Sequence, residues 1–210
     1  MIKKGYNMKL LKNLRIVTME GEEFPSGYIL IDDGKIKALG PMESAPQDID
    51  AEEDMEYKTA YPGFIDAHSH IGMWEDGLAF EGDDGNEDSE PITQQLSALD
   101  AINPMDYSFS EAAAAGITTV VTGPGSANPI AGSFIAIKTV GRRVDDMVVK
   151  NPAGIKFSLG ENPKSTYREK EQGPVTRMGT AALIREQLEK ARRYTYDLES
   201  AMQDEDKAEP

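Results

Sequence analysis

The sequence predicts a mixed α/β fold, and three features of its pattern support that class. Residues 1–58 contain short β-branched runs separated by turn signals, as expected of strands joined by tight turns. From residue 59 onward, apolar runs of strand length alternate with helical and loop segments, which predicts a parallel sheet with helices outside it. Residues 176–202 then carry one apolar stripe at helical spacing.

The N-terminal strands are predicted from alternation and turn chemistry. Residues 14–19 and 28–31 are β-branched runs, and Asp33-Gly34 follows the second of them. Because glycine accepts the positive φ that a tight hairpin needs, this pair predicts a hairpin into residues 35–39, with Ile36 and Leu39 facing a core. The acidic, proline-containing residues 41–56 predict a surface connection.

The segment 59–202 is predicted to hold the sheet and its helices. Three strands are predicted, one leading from residues 60–67 into His68-Ser-His70 and two at residues 117–122 and 154–159. A helix is predicted over residues 110–115, ended by Gly116, whereas the apolar residues 134–137 are too few to assign.

Three segments outside these elements have their own patterns. Residues 72–91 predict an acidic loop, and no lysine or arginine occurs between His70 and Lys138. The helix 176–202 would lie against a sheet or a partner, with a self-associating coiled coil as the other interpretation. Residues 203–210 form an acidic tail.

Composition narrows the classes of function. The chain of 210 residues has no cysteine, so thiolate zinc ligands, disulfides and a cysteine nucleophile are excluded. Its net charge of −15 opposes phosphate backbones and anionic lipid, which argues against nucleic-acid and membrane partners. No apolar run of membrane-spanning length and no secretory h-region occur, so we expect a soluble, cytoplasmic protein.

The two histidines of the chain lie two residues apart on a predicted strand. Side chains at positions i and i+2 of a strand point to the same side, so His68 and His70 converge and suit a divalent metal. A surface or hydrogen-bonded pair of histidines is the other interpretation. Asp66 lies on the same side, and we favour a carboxylate that orients a histidine over a direct ligand.

Several of these segments resemble the metal-dependent amidohydrolase superfamily. Residues 61–70, Tyr-Pro-Gly-Phe-Ile-Asp-Ala-His-Ser-His, are similar to its Pro-Gly-Phe-Ile-Asp-x-His-x-His signature. Residues 29–40 are similar to a hairpin of the small β-domain that precedes this signature, and residues 116–121 resemble the second barrel strand. Residues 123–128 and 159–164 resemble elements of the imidazolonepropionase-like members.

The resemblance implies the N-terminal part of a (β/α)8 TIM-type barrel, at residues 59–202, preceded by strands of a small β-sandwich domain at residues 1–58. It implies one or two divalent metals, with zinc as the first choice and with His68 and His70 as ligands. A carbamylated Lys156 would bridge two metals, with Glu161 as the alternative bridge. The implied activity is hydrolysis of amide or cyclic amide C–N bonds in a small-molecule substrate, or deamination, by metal-activated water.

The chain departs from the family pattern because it lacks the two further histidines that the family requires. The general base, an aspartate after the eighth strand, is expected in a C-terminal half absent from this sequence. A catalytically inactive fragment or assembly protein is therefore the alternative function. In either case we expect a homo-oligomer or association with the missing half.

The loop 123–128 supplies two weaker candidates. Ser126 and Asn128 follow a predicted strand, where loops after barrel strands line the substrate pocket, so we expect them to contact substrate; turn chemistry alone is the other interpretation. The acidic loop 72–91 is either a solvated lid or a surface that attracts metals and cationic substrates.

Overall fold

The structure, a computed structural model, describes residues 8–207 of the chain. The chain divides into two compact units between Gly63 and Phe64, compared with the predicted boundary after residue 58. The mixed α/β class predicted from the sequence is confirmed. Each unit contains its own sheet.

The first unit is a five-stranded sheet in the order β3-β2-β1-β4, with β5 also paired to β1. Strands β1 to β3 are antiparallel neighbours, whereas β4 and β5 run parallel to β1. The bounds are β1 Lys9–Val17, β2 Glu23–Asp32, β3 Lys35–Pro41, β4 Ala51–Asp54 and β5 Thr59–Ala60.

The predicted hairpin is confirmed between β2 and β3. Asp33 and Gly34 have φ angles of 51° and 73°, so both central residues of the turn adopt the left-handed conformation of a type I′ hairpin. The core of this unit centres on Leu10, Tyr28 and Leu30.

The prediction that Ile36 and Leu39 face a core is wrong, since they are 63% and 37% exposed. Ala38 pairs with the buried Leu30, so the next residue, Leu39, points to the opposite side of the sheet. An irregularity in the β2–β3 register then places Ile36 opposite Ile31, which breaks the simple alternation.

The acidic segment predicted as a surface connection contains the strand β4. Its residues Ala51–Asp54 are all exposed, and acidic side chains have a low preference for strands. Two ion pairs with β1 join the strands, Lys12 with Glu52 and Lys9 with Glu53, each at 2.5 Å. The tertiary pairing therefore forms a strand that local pattern did not indicate.

Among the described residues, the second unit is a four-stranded sheet in the order β6-β7-β8-β9 with four α-helices and two short 3-10 helices, Phe80–Gly82 and Ala98–Asp100. The bounds are β6 Phe64–Ser69, α1 Tyr107–Ala114, β7 Ile117–Thr122, β8 Ile130–Lys138, α2 Val144–Met147, β9 Val148–Phe157, α3 Glu161–Glu169 and α4 Arg177–Lys207. Its core includes Phe109 of α1, Val120 of β7 and Ile135 of β8.

The predicted parallel arrangement holds for β6 and β7 only. Helix α1 connects these two parallel strands, and Gly116, at φ 84°, ends it as predicted. Strand β8 is antiparallel to β7, and β9 is antiparallel to β8. The connection at residues 123–129 is too short for a parallel crossover, which takes a dozen or more residues, so the chain reverses there.

The long C-terminal helix is confirmed, and it runs past the predicted end at Met202 to Lys207. Residues 208–210 of the predicted tail lie outside the described residues. Thr180 and Ile184 are buried, whereas Leu188 and Leu198 farther along the stripe are 54% and 42% exposed. Self-association through this stripe stays a prediction.

Candidate metal-binding site

The two histidines lie at the end of β6, side by side. His68 belongs to the strand, and His70 follows its last residue. Their ring centroids are 5.1 Å apart, as the i, i+2 spacing predicts for side chains on one side of a strand. The ring of Phe134 on β8 stacks on His68 at 5.3 Å between centroids. An apolar ring therefore covers one side of the imidazole pair.

The orientation of His70 is set by a backbone carbonyl. Its Nδ1 lies 2.7 Å from the carbonyl oxygen of Gly123, in the loop after β7. Because a carbonyl oxygen only accepts, Nδ1 carries the proton in this hydrogen bond, so Nε2 is the nitrogen that bears the lone pair in the neutral ring. A histidine held in this way by its other ring nitrogen is typical of metal ligands.

The ring of Trp74 packs against the ring of His70. The two rings meet edge to face at 5.3 Å between centroids, and Trp74 is the only tryptophan of the chain. Neither Trp74 nor Phe134 could be predicted to lie here from sequence, because nothing in their local pattern places them beside the histidines.

Asp66 lies two residues before His68 on the same strand, β6. Its Oδ1 accepts a hydrogen bond from the His68 backbone amide at 3.1 Å rather than from an imidazole. The carboxylate thus restrains the backbone that carries His68. An imidazole-orienting role for Asp66 stays a prediction.

Lys156 of β9 and His68 line one cavity of about 380 Å³, with Phe134 between the two strands. The lysine Nζ lies 5.8 Å from the centroid of the Phe134 ring. Burial lowers the pKa of Lys156, because partial loss of water disfavours the charged ammonium. The structure therefore brings Lys156 to the same cavity as the first predicted ligand.

Glu161, the alternative bridging residue, begins α3. Its carboxylate forms an ion pair with Lys164 at 2.9 Å, and its side chain is 76% exposed. Both Glu161 and Lys156 line a smaller cavity of about 230 Å³ that Ser126 also lines. The choice between the two bridging candidates stays a prediction, as does a substrate contact by Ser126.

The structure gives Asn128 a different role from the predicted substrate contact. The side chain is 2% exposed, and its Nδ2 donates to the Glu87 carbonyl at 2.6 Å and to Thr93 Oγ1 at 2.8 Å. Its Oδ1 accepts from the Tyr167 hydroxyl at 2.6 Å. With these bonds its amide is already paired within the protein, because the loop 123–128 folds back over the acidic segment. Asn128 is thus a core residue of this unit.

The acidic segment is attached to its surroundings. Asn86 Oδ1 accepts from the Ala127 amide at 3.2 Å, and Lys170 on the C-terminal side of α3 pairs with Asp88 at 2.7 Å. A cavity of about 270 Å³ adjoins this segment and includes the carboxylates of Asp84 and Glu87 in its lining. Its role in attracting cations stays a prediction.

The described side chains do not form a complete metal site. Among residues 8–203, whose side chains the structure describes, no group of three histidine, aspartate or glutamate side chains is arranged to hold a metal ion. The two imidazoles fit a divalent metal in chemistry and in the orientation of His70. Further ligands would have to come from Lys156, from Glu161 or from residues beyond this sequence.

Comparison with known proteins finds related hydrolases. The chain is 30% identical over 179 residues to the amidohydrolase tasK of Hapsidospora irregularis. The matched residues make up 79% of this chain and 18% of that protein. It is 39% identical over 71 residues to a 5-methylthioadenosine/S-adenosylhomocysteine deaminase of Desulforamulus reducens, with 32% and 16% covered. An imidazolonepropionase of Psychromonas ingrahamii is 36% identical over 92 residues, with 40% and 21% covered.

A solved structure matches nearly the whole chain. An amidohydrolase from Thermotoga maritima superposes with a TM-score of 0.84 at 40% identity, over 93% of this chain and 50% of that one. The chain thus spans half of this structure and less than a quarter of the three curated relatives. No protein-family model matches the chain. Within residues 8–207, no helix has the length and apolar character needed to cross a membrane.

Proposed function

The chain belongs to the amidohydrolase superfamily, a family of hydrolytic enzymes, and on that premise we propose that it is the N-terminal part of a metal-dependent hydrolase of C–N bonds. The observation that carries this proposal is the pair of imidazoles at the end of β6. Their rings are 5.1 Å apart, and the Gly123 carbonyl leaves His70 Nε2 free to coordinate. The family resemblance of residues 61–70 supports the same role.

The proposed architecture is the beginning of a (β/α)8 barrel in the second unit. Strand β6, helix α1 and strand β7 form one β-α-β unit with parallel strands, which is the repeat of such a barrel. The antiparallel strands β8 and β9 would then be an elaboration next to it. The first unit supplies strands of the small β-domain.

We assign ligand roles to the residues of this chain. His68 and His70 would hold one divalent metal, with zinc as the first choice. Lys156 as a carbamate, or else Glu161, would bridge this metal and a second one. A metal bound there would lower the pKa of water and would polarise a substrate carbonyl. The chain's own residues position the imidazoles, since Gly123 orients His70 and Phe134 shields His68 from solvent on one side.

The substrate is proposed to be a small molecule with an amide, a cyclic amide or an amino group on a ring. Two of the curated relatives named above are a deaminase and an imidazolonepropionase, which keeps both reactions within the proposal. Ser126 would contact substrate from the loop after β7. The general base that shuttles the proton to the leaving nitrogen is expected in the part of the relatives that this chain does not span.

The test is metal binding by the chain and its histidine variants. The metal-free protein is dialysed against Zn²⁺, and bound metal is counted by elemental analysis while Trp74 fluorescence reports events at His70. His68→Ala and His70→Ala should each weaken binding about tenfold or more, and His68→Ala/His70→Ala should abolish it. Gln95→Ala, an exposed position in the same unit, is the control. Unchanged stoichiometry in the double variant would overturn the site.

A catalytically inactive fragment or assembly protein is the second candidate. It is favoured by the absence of a three-residue ligand cluster among residues 8–203, whose side chains the structure describes. The intact mass of the protein from its native cell separates the two. A mass near 23.0 kDa, together with no binding of Zn²⁺ at micromolar concentrations, favours the assembly role. A mass about twice as large favours the enzyme. In both cases association with another copy or with the missing half would be measured by sedimentation.

A further inference from the structure

The C-terminal part of helix α4 is not packed against the described part of the chain. Thr180 and Ile184 are buried and attach the start of the helix to its unit, whereas no residue from 185 to 203 is buried. At about 1.5 Å per residue, this accessible part of the helix is about 28 Å long. Most helical stability in proteins comes from packing an apolar face, so we expect this part of α4 to have a partner.

An apolar seam runs along this part of the helix. It consists of Leu188, Ala191, Thr195, Leu198 and Met202, at alternating spacings of three and four residues. This is the spacing of the a and d positions of a coiled coil, a narrower stripe than the face that a helix lays on a globular core. All five residues are exposed, Leu188 and Met202 by more than half. Thr195 Oγ1 donates to the Ala191 carbonyl at 3.1 Å, so its hydroxyl is paired within the helix and its methyl group is left to the seam.

The charges of α4 are divided between two consecutive segments. Residues 185–193 contain four basic and two acidic side chains, whereas residues 194–203 contain two acidic side chains and no basic one. The carboxylates of the first segment, Glu186 and Glu189, already pair with basic side chains of the same segment at 2.7 to 3.4 Å. The first segment is therefore net positive and the second net negative.

This division of charge fixes the direction in which a second copy of α4 would bind. Two parallel helices would place the basic segments side by side and the acidic segments side by side, which is repulsive. Two antiparallel helices place the basic segment of each copy beside the acidic segment of the other, around a two-fold axis between the segments. Charge complementarity thus selects a second copy of this chain, in the antiparallel direction, as the occupant of the seam.

The antiparallel register also matches the side chains of the seam. Leu188 of one copy lies opposite Leu198 of the other, and the smaller Ala191 and Thr195 lie opposite each other near the axis. Arg185 and Glu199 both occupy the e position beside the seam, where e faces e in an antiparallel pair. Within residues 8–203, neither of these two charges has an ion-pair partner in its own chain.

We propose that the chain dimerises through the seam of α4, as an antiparallel two-fold pair in which Arg185 of each copy binds Glu199 of the other. The two layers of Leu188 against Leu198 supply the apolar contact, and the two ion pairs set the direction and the register. The proposal does not rest on the proposed hydrolase function, because it uses no residue of the histidine pair or of the sheet that carries it.

Sedimentation equilibrium of the 210-residue chain measures the association, at protein concentrations from about 5 to 500 µM. We expect a monomer–dimer equilibrium with a dissociation constant of about 10–100 µM, because one pair of short helices is a small interface. Leu198→Ala should weaken dimerisation about tenfold or more, since each dimer loses two leucine contacts. Added salt should also weaken it, because the ion pairs are exposed.

Two charge-reversed variants test the register. Arg185 and Glu199 lie about 21 Å apart along the helix, so they cannot contact each other within one chain. Arg185→Glu alone and Glu199→Arg alone should each dimerise about tenfold more weakly than the wild type, since each places like charges opposite. Mixed in equal amounts, the two variants should associate with each other as tightly as the wild type does, because every glutamate then faces an arginine. In a parallel pair e faces g, and the mixture would gain nothing.

Asp197→Arg is the matched control, because it makes the same change of charge as Glu199→Arg at an exposed position away from the seam. It should dimerise within about threefold of the wild type, and circular dichroism should show equal helix content in all variants. The proposal is overturned if the wild type stays monomeric at the highest concentration, which would leave the seam to another chain. It is also overturned if Leu198→Ala has no effect, or if the mixed variants associate no better than either alone. Zn²⁺ uptake by the histidines is measured separately, so the two proposals fail separately.

Discussion

Replacing Asn128 with alanine should destabilise the second unit more than its small loss of volume indicates. The amide lies in the core, where it joins three segments through Glu87, Thr93 and Tyr167. Burial raises the pKa of Tyr167, with the carboxylates of the acidic segment adding to the effect, so the phenol stays protonated and donates to Asn128.

The magnitude follows from which groups lose a partner. Tyr167 is fully buried, so its hydroxyl would be left unpaired at a cost of about 1–3 kcal/mol. Thr93 Oγ1 keeps its bond to the Ile130 carbonyl, and the Glu87 carbonyl belongs to an exposed residue that water reaches. Adding the net loss of the remaining bonds, we expect Asn128→Ala to lower the free energy of unfolding by about 2–4 kcal/mol.

Urea denaturation of a double-mutant cycle measures this. Tyr167→Phe alone should cost about 1–3 kcal/mol, because Asn128 Oδ1 loses its donor. Asn128→Ala/Tyr167→Phe should cost less than the sum of the two, by about 1–2 kcal/mol. Tyr196→Phe, at an exposed tyrosine of α4, is the matched control and should stay within about 0.5 kcal/mol of wild type. Additive effects, or a cost below about 1 kcal/mol for Asn128→Ala, would refute the reasoning.

Two further predictions concern the neighbourhood of the candidate site. Gly85→Ala places a methyl group against the indole of Trp74, so it should shift the tryptophan emission and cost about 1–3 kcal/mol, whereas Gly154→Ala meets no atom and should do neither. Lys156→Met should be more stable than wild type at neutral pH in CO₂-free buffer. Burial lowers the Lys156 pKa, so between this lowered value and the ordinary value of 10.5 the unfolded chain binds more protons than the folded chain. The free energy of unfolding of the wild type therefore rises with pH in that range. Urea titrations over that range should show the gap closing, and a constant gap would contradict the sign.

Local chemistry was enough to predict much of the first unit and the pair of histidines. The Asp33-Gly34 hairpin depends on backbone conformations that these two residues favour, so it could be predicted without tertiary information. The convergence of His68 and His70 follows from the period of two along a strand. Helix α1 and its end at Gly116 likewise follow from local preferences.

Interactions between distant residues decided the remainder. Strand β4 exists because β1 provides hydrogen bonds and lysines for an acidic segment that has little strand preference of its own. Asn128 looked like a loop residue in sequence, but its partners Glu87 and Tyr167 come from segments far along the chain. No local pattern reports which segments will meet in this way.

The sequence by itself determined the mixed α/β class, the resemblance to the amidohydrolase superfamily and the convergence of His68 and His70, because these depend on short motifs and on strand periodicity. Only the tertiary structure decided that β8 and β9 are antiparallel, that Phe134 and Trp74 flank the histidines, and that Ser158 is buried without a partner. The physical reason is that pairing direction and side-chain burial depend on long-range packing, in which each residue's surroundings come from other parts of the chain.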